Sequence, residues 1–170
     1  MNRIDRKAVS LASVARVTAL AGALLAFPAY AQQGEPIGSW WLLAMPGGAG
    51  AHAIMTPSTQ GAGVVAFRCE GERSTVLLGL NRPEARPRVG SAVAVEWQIG
   101  AGPRRRAQGM PSDETVELDD AASRAIVAEA AEAPSFSFHL APGAADETTL
   151  VFRPVETKGA IARLREACGG

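Results

Sequence analysis

The stretch AGVVAFRCEGERSTVLLGL, residues 62–80, decides the fold class. Its two arms, Ala62–Cys69 and Ser74–Leu80, are apolar and rich in β-branched residues. They flank a polar connection of four residues, Glu70-Gly71-Glu72-Arg73. Two such runs this close in sequence read as a β-hairpin. Toward the C-terminus, Asn81–Val89 is a charged, proline-bearing loop, and Ser91–Ile99 then alternates strictly. Val93, Val95, Trp97 and Ile99 share one face, and Ala92, Ala94, Glu96 and Gln98 share the other. A period of two marks a half-buried strand. Gly100–Pro103 turns the chain, and Arg104–Met110 is placed to pair back. Toward the N-terminus, Ser39–Ala44 and His52–Thr56 are predicted strands. Pro46–Gly50 and Pro57–Gly61 punctuate them as loop and turn.

Ala121–Glu132 is built from strong helix formers. Asp119 and Asp120 stand where a helix start favours a capping carboxylate and negative charge. Pro134 ends that helix. Ser135–Leu140 alternates again, with Phe136, Phe138 and Leu140 on one face and His139 on the other with Ser135 and Ser137. Ala141–Glu147 reads as a loop and Thr148–Phe152 as the last strand. Lys158–Ala167 reads as a C-terminal helix with Ala160, Ile161, Leu164 and Ala167 inward. The expected class is all-β to α+β: an antiparallel sandwich- or barrel-like domain with one internal and one C-terminal helix.

Residues 1–31 read as a secretory signal. Arg3, Arg6, Lys7 and Arg16 make a positive start, Val17–Phe27 is an apolar run, and Ala29-Tyr30-Ala31 offers small residues for cleavage. The apolar run falls short of the roughly 20 residues that span a bilayer. Residues 32–38 then form a polar, flexible lead-in to one domain over 39–170. The whole chain has 17 Lys+Arg and 17 Asp+Glu. Cleavage after Ala31 would remove four cations and Asp5, leaving 13 against 16 and a net charge of −3. That balance argues against a phosphate-coating nucleic-acid binder and against a polybasic membrane-surface protein. No cysteine follows the cleavage site, which excludes a lipid anchor there.

Cys69 and Cys168 are the only cysteines. An even pair in an exported chain reads as a disulfide. With only His52 and His139 available, the cysteines have no metal-ligand spacing, so no metal and no cofactor is expected. The chain lacks the G-x-S-x-G nucleophile elbow and the G-x-x-x-x-G-K-[ST] phosphate loop. A hydrolase would need His52 or His139 to meet a carboxylate beside a nucleophile, and nothing in the spacing brings them together. No catalytic residue is therefore assigned.

Two groups stand out as contact candidates. Trp40 and Trp41 are adjacent, so on a strand they point to opposite faces, one into the core and one outward. Arg104-Arg105-Arg106 is able to grip an anionic ligand or an acidic partner. Its plainer reading is a solvated turn neutralised by Asp113, Glu114 and Glu117, with Arg104 and Arg106 on one side and Arg105 on the other.

One resemblance rests on short motifs. A strand ends in Arg68-Cys69, a Ser112-Asp113 turn leads into a helix, and the strand Thr148–Phe152 precedes a helix ending in Leu164-Arg165-Glu166-Ala167-Cys168-Gly169. In this the chain resembles the secreted VasI/TagO-like proteins associated with type VI secretion. It reads Val95-Glu96-Trp97-Gln98 where that family has an arginine-aspartate strand motif, and Gly170 where an aromatic is usual. The resemblance implies an exported β-rich domain whose final helix is tied to the sheet through Cys69 and Cys168, and it transfers no catalytic residue. The expected function is a non-enzymatic periplasmic accessory or interaction protein of an envelope or secretion assembly, with an envelope protein as partner. The alternative is a periplasmic ligand-binding or enzyme-inhibitor domain.

Overall fold

The hairpin over 62–80 forms the fourth and fifth strands of a ten-stranded sheet, beside its centre. The computed structural model describes residues 34–45, 50–141 and 147–169. The expected signal segment, the glycine-rich loop over 46–49 and the loop over 142–146 lie outside the described residues. The strands are β1 (Glu35–Ile37), β2 (Trp40–Ala44), β3 (His52–Pro57), β4 (Gly63–Glu70), β5 (Arg73–Leu80), β6 (Val93–Ile99), β7 (Arg105–Pro111), β8 (Thr115–Leu118), β9 (Phe136–Leu140) and β10 (Thr148–Phe152). The helices are α1 (Asp120–Ala130) and α2 (Thr157–Ala167). The sheet order is β1-β2-β3-β4-β5-β8-β7-β6-β9-β10, and all neighbours are antiparallel.

Three boundaries differ from the sequence reading. The central hairpin is tighter: Glu70 pairs with Arg73, so the loop is only Gly71-Glu72, with Gly71 at φ +57°. Glycine accepts that left-handed geometry without the Cβ clash other residues meet. The lead-in expected over 32–38 already contains β1, which pairs with β2 from Glu35 to Ile37. The chain between Ser112 and α1 is not a simple turn, because β8 intervenes and pairs with both β5 and β7. Four residues carry too short a pattern to be read locally; long-range pairing makes this strand.

The sheet curls until its two halves face each other. Trp40 of β2 and Phe67 of β4 meet Phe136 of β9 at ring-centroid distances of 6.4 and 6.0 Å. Phe136 in turn stacks on Phe152 of β10 at 5.2 Å. These strands are far apart in sheet order, so only a strongly coiled sheet brings the rings together. The β3–β4 turn finishes the wrap: the backbone N–H and the hydroxyl of Thr59 both donate to the Val151 carbonyl, at 2.8 and 3.1 Å. The result is a sandwich-like core lined by Trp40, Phe67, Phe136, Phe138 and Phe152. The faces expected for Ser91–Ile99 and Ser135–Leu140 are the observed ones: Val95, Trp97, Phe136, Phe138 and Leu140 are buried.

Both helices serve this core. Asp119 caps α1, its Oδ1 accepting the Ala122 N–H at 2.9 Å. Ser123 of α1 is fully buried; its hydroxyl accepts the Val76 N–H and donates to the Leu118 carbonyl. The helix thus extends the β5 ladder past the end of β8. Helix α2 runs along the inner face of β2–β4. At its start the Trp40 indole Nε1 donates to the Thr157 hydroxyl at 3.4 Å. At its end Cys168 is disulfide-bonded to Cys69 of β4, with 6.3 Å between the Cα atoms, within the usual range for a bridge. Ala160, Ile161 and Leu164 are buried between these two ties.

Candidate partner-binding surface

The arginine triplet divides as strand geometry requires, but its partners are not the expected ones. Arg105 faces inward: its guanidinium lies 4.6 Å from the centre of the Trp97 ring and makes a two-pronged bond to Glu129 of α1, at 2.7 and 2.8 Å. Its charge is committed to holding α1 on the sheet. Arg104 and Arg106 lie on the outer side and share Glu96, at 4.0 and 2.9 Å. Asp113, Glu114 and Glu117 do not form the neutralising set, because the β7–β8 turn holds Asp113 and Glu114 beyond Pro111 and the register sets Glu117 opposite Met110, at the end of β7 away from the arginines. Glu117 instead pairs with Arg73.

Trp40 is completely buried and leaves the list of surface contacts. Trp41 is 44% exposed on the outer face. The two histidines stand on separate strands. His52 Nδ1 lies 3.3 Å from the Gly50 carbonyl oxygen. His139 Nδ1 lies 3.0 Å from the Thr149 hydroxyl and 3.9 Å from a Glu147 carboxylate oxygen. Hydroxyl and carboxylate meet the same ring nitrogen, so the imidazole is not interposed between them as a proton relay requires. Among the described residues no group of three or more His, Cys, Asp and Glu is placed to hold a metal ion. No helix among them is long and apolar enough to cross a membrane.

The outer face of β2–β5 carries the feature that the sequence reading missed. On β6 and β9 the outward positions are polar, with Glu96, Gln98, Ser137 and His139. On β2–β5 they are apolar in a band across the strands, and they turn polar only toward the β4–β5 turn, where Arg68, Glu70, Arg73 and Thr75 share this face. Register places Trp41 beside Met55, Met55 beside Ala66, and Ala66 beside Leu77. Leu43 and Val64 flank this row on the same face. Trp41, Leu43, Met55, Val64 and Leu77 all keep solvent contact. An antiparallel sheet with one solvated face ordinarily alternates apolar in, polar out. The signal was present in WWLLA, GVVAF and TVLLG, which are continuously apolar rather than alternating. Continuous runs mark strands with two apolar faces.

Comparison with protein-family models, with curated proteins and with solved structures finds no match to this chain.

Proposed function

We propose that this protein is an exported, non-enzymatic interaction protein of the bacterial envelope, and that the outer face of β2–β5 is its contact surface. The observation that carries this reading is the row Trp41–Met55–Ala66–Leu77, a contiguous apolar band on a face that would otherwise be polar. Such patches on a folded domain mark interaction sites, and tryptophan is enriched among residues that dominate binding energy. Support for export comes from the three-part pattern of residues 1–31 and from the Cys69–Cys168 bridge, since disulfides persist in oxidising compartments. The resemblance to VasI/TagO-like proteins makes a secretion assembly the first place to look for the partner.

Two experiments test the reading. A phosphatase reporter that folds only when oxidised, fused after Gly170, is expected to be active with residues 1–31 present and inactive without them. Affinity capture from envelope extracts, read by mass spectrometry, is expected to recover a partner with the native chain and to lose it with Trp41→Ser. Equal capture by both forms, or no partner at any ionic strength, overturns the assignment of the surface.

A second reading, an anionic-ligand or inhibitor domain, has one observation in its favour. Arg104 and Arg106 have side chains 59% and 82% exposed and share the single carboxylate of Glu96. Replacing Arg104 and Arg106 by Ser is expected to abolish salt-sensitive binding if that reading holds.

A further inference from the structure

The outer row does not stop at Leu77. Leu77 is the register partner of Glu117 on β8, and Glu117 is the partner of Met110 on β7. There the surface sinks into a cleft of about 420 Å³, a size typical of pockets that take a small ligand or side chain. Its apolar surface comes from Met110, 54% exposed, and from the exposed Ala92. Its polar rim is anionic. Glu117, Asp119 and Asp120 stand against one cation, Arg73. Arg73 is held by Glu117 at 3.2 Å and by Asp120 at 3.1 Å. Asp119 uses its oxygens on the backbone N–H groups of Ala122 and Gln108. Three carboxylates against one guanidinium leave two negative charges in excess beside an apolar lining.

An occupant that satisfies both halves of this surface carries a cation on an aliphatic stem. Phosphate and lipid headgroups would meet the excess carboxylates and are disfavoured. From Trp41 to Glu117 is four strand spacings, or about 19 Å. An extended segment crosses that distance in about six residues. We infer that the cleft receives a lysine or arginine side chain from an amphipathic segment of a protein partner, whose apolar residues lie along Leu77, Met55 and Trp41. This rests on the outer face being the contact surface, and it adds the chemistry of the partner.

The test uses a labelled synthetic peptide of about ten alternating leucines and lysines, long enough to cross the row at the strand rise. Two controls exchange lysine for glutamate or leucine for serine, and binding is read by fluorescence anisotropy. The leucine–lysine peptide is expected to bind at least about tenfold tighter than either control, the ratio produced by one well-made charged contact. Its affinity should fall as added salt shortens the screening length. Met110→Ser, and separately the pair Glu117→Gln with Asp120→Asn, should each weaken it severalfold with an unchanged circular dichroism spectrum. Trp41→Ser is the separating arm. If Trp41→Ser weakens binding and neither cleft variant does, the cleft inference fails while the contact surface stands. If the glutamate peptide binds equally well, or no peptide binds the native chain, the cleft inference fails whatever the envelope capture shows.

Discussion

Trp40 and Trp41 differ by one peptide bond and end in opposite environments. The period of two made that split legible in the sequence; which of the two is buried was not, because both neighbours are apolar and the register with β3 decides. Trp40→Ala should cost about 3–5 kcal/mol by opening a core cavity. Trp41→Ser should change stability by no more than about 0.5 kcal/mol, as for ordinary surface positions. Chemical denaturation of both variants checks the contrast. A finer comparison concerns the indole nitrogens. Trp40 Nε1 has Thr157 as acceptor, whereas the buried Trp97 Nε1 has no hydrogen-bond partner among the described residues. Trp40→Phe is therefore expected to be the costlier truncation, by about 1 kcal/mol, the net worth of one hydrogen bond. Equal costs would show that Trp97 Nε1 is satisfied in solution. The arginine triplet teaches the same lesson. The alternation of Arg104, Arg105 and Arg106 followed from strand geometry, but Glu96 and Glu129 reach them only through the β6–β7 register and the docking of α1.

At the scale of elements, the long alternating strands and the alanine-rich helix were legible, and β1 and β8 were not. Short strands get their hydrogen bonds from partners distant in sequence, so no local pattern announces them. Helix α2 was read from its periodicity, and its attachment can be measured. It is held at one end by the Trp40–Thr157 bond and at the other by a bridge between residues 99 apart in sequence. On the chain-entropy model a loop of that length contributes about 4–5 kcal/mol as an upper figure. Replacing Cys69 and Cys168 together by Ala should lower the urea midpoint of the native chain to that of its reduced form. A midpoint unmoved by either treatment would mean that α2 is held by packing alone. Helix α1 makes a second case. Ser123→Ala leaves the Val76 N–H without its acceptor in the core, and the expected cost is about 1–3 kcal/mol. An exposed neighbour, Arg124→Ala, should be close to neutral and serves as control.

The whole molecule depends on how a ten-stranded sheet treats its two ends. Edge strands offer unpaired N–H and C=O groups to other chains. At one end β1 is three residues long and carries Pro36, which lacks a backbone donor. At the other end β10 is covered by the β3–β4 turn, where Thr59 gives both its N–H and its hydroxyl to the Val151 carbonyl. No local pattern shows this closure, since 92 residues separate the two partners. It follows from the curl that stacks Trp40 and Phe67 on Phe136. Thr59→Ala removes one donor and keeps the other, so it should remain monomeric at a cost of about 0.5–1.5 kcal/mol. Thr59→Pro removes both donors and frees the edge of β10. It is expected to self-associate with rising concentration, seen by light scattering, while its circular dichroism at low concentration stays that of the native sheet. The apolar outer face is the competing cause of association, so the decisive form is Thr59→Pro combined with Trp41→Ser. Continued association of that double variant assigns it to the β10 edge, whereas its disappearance assigns it to the face around Trp41.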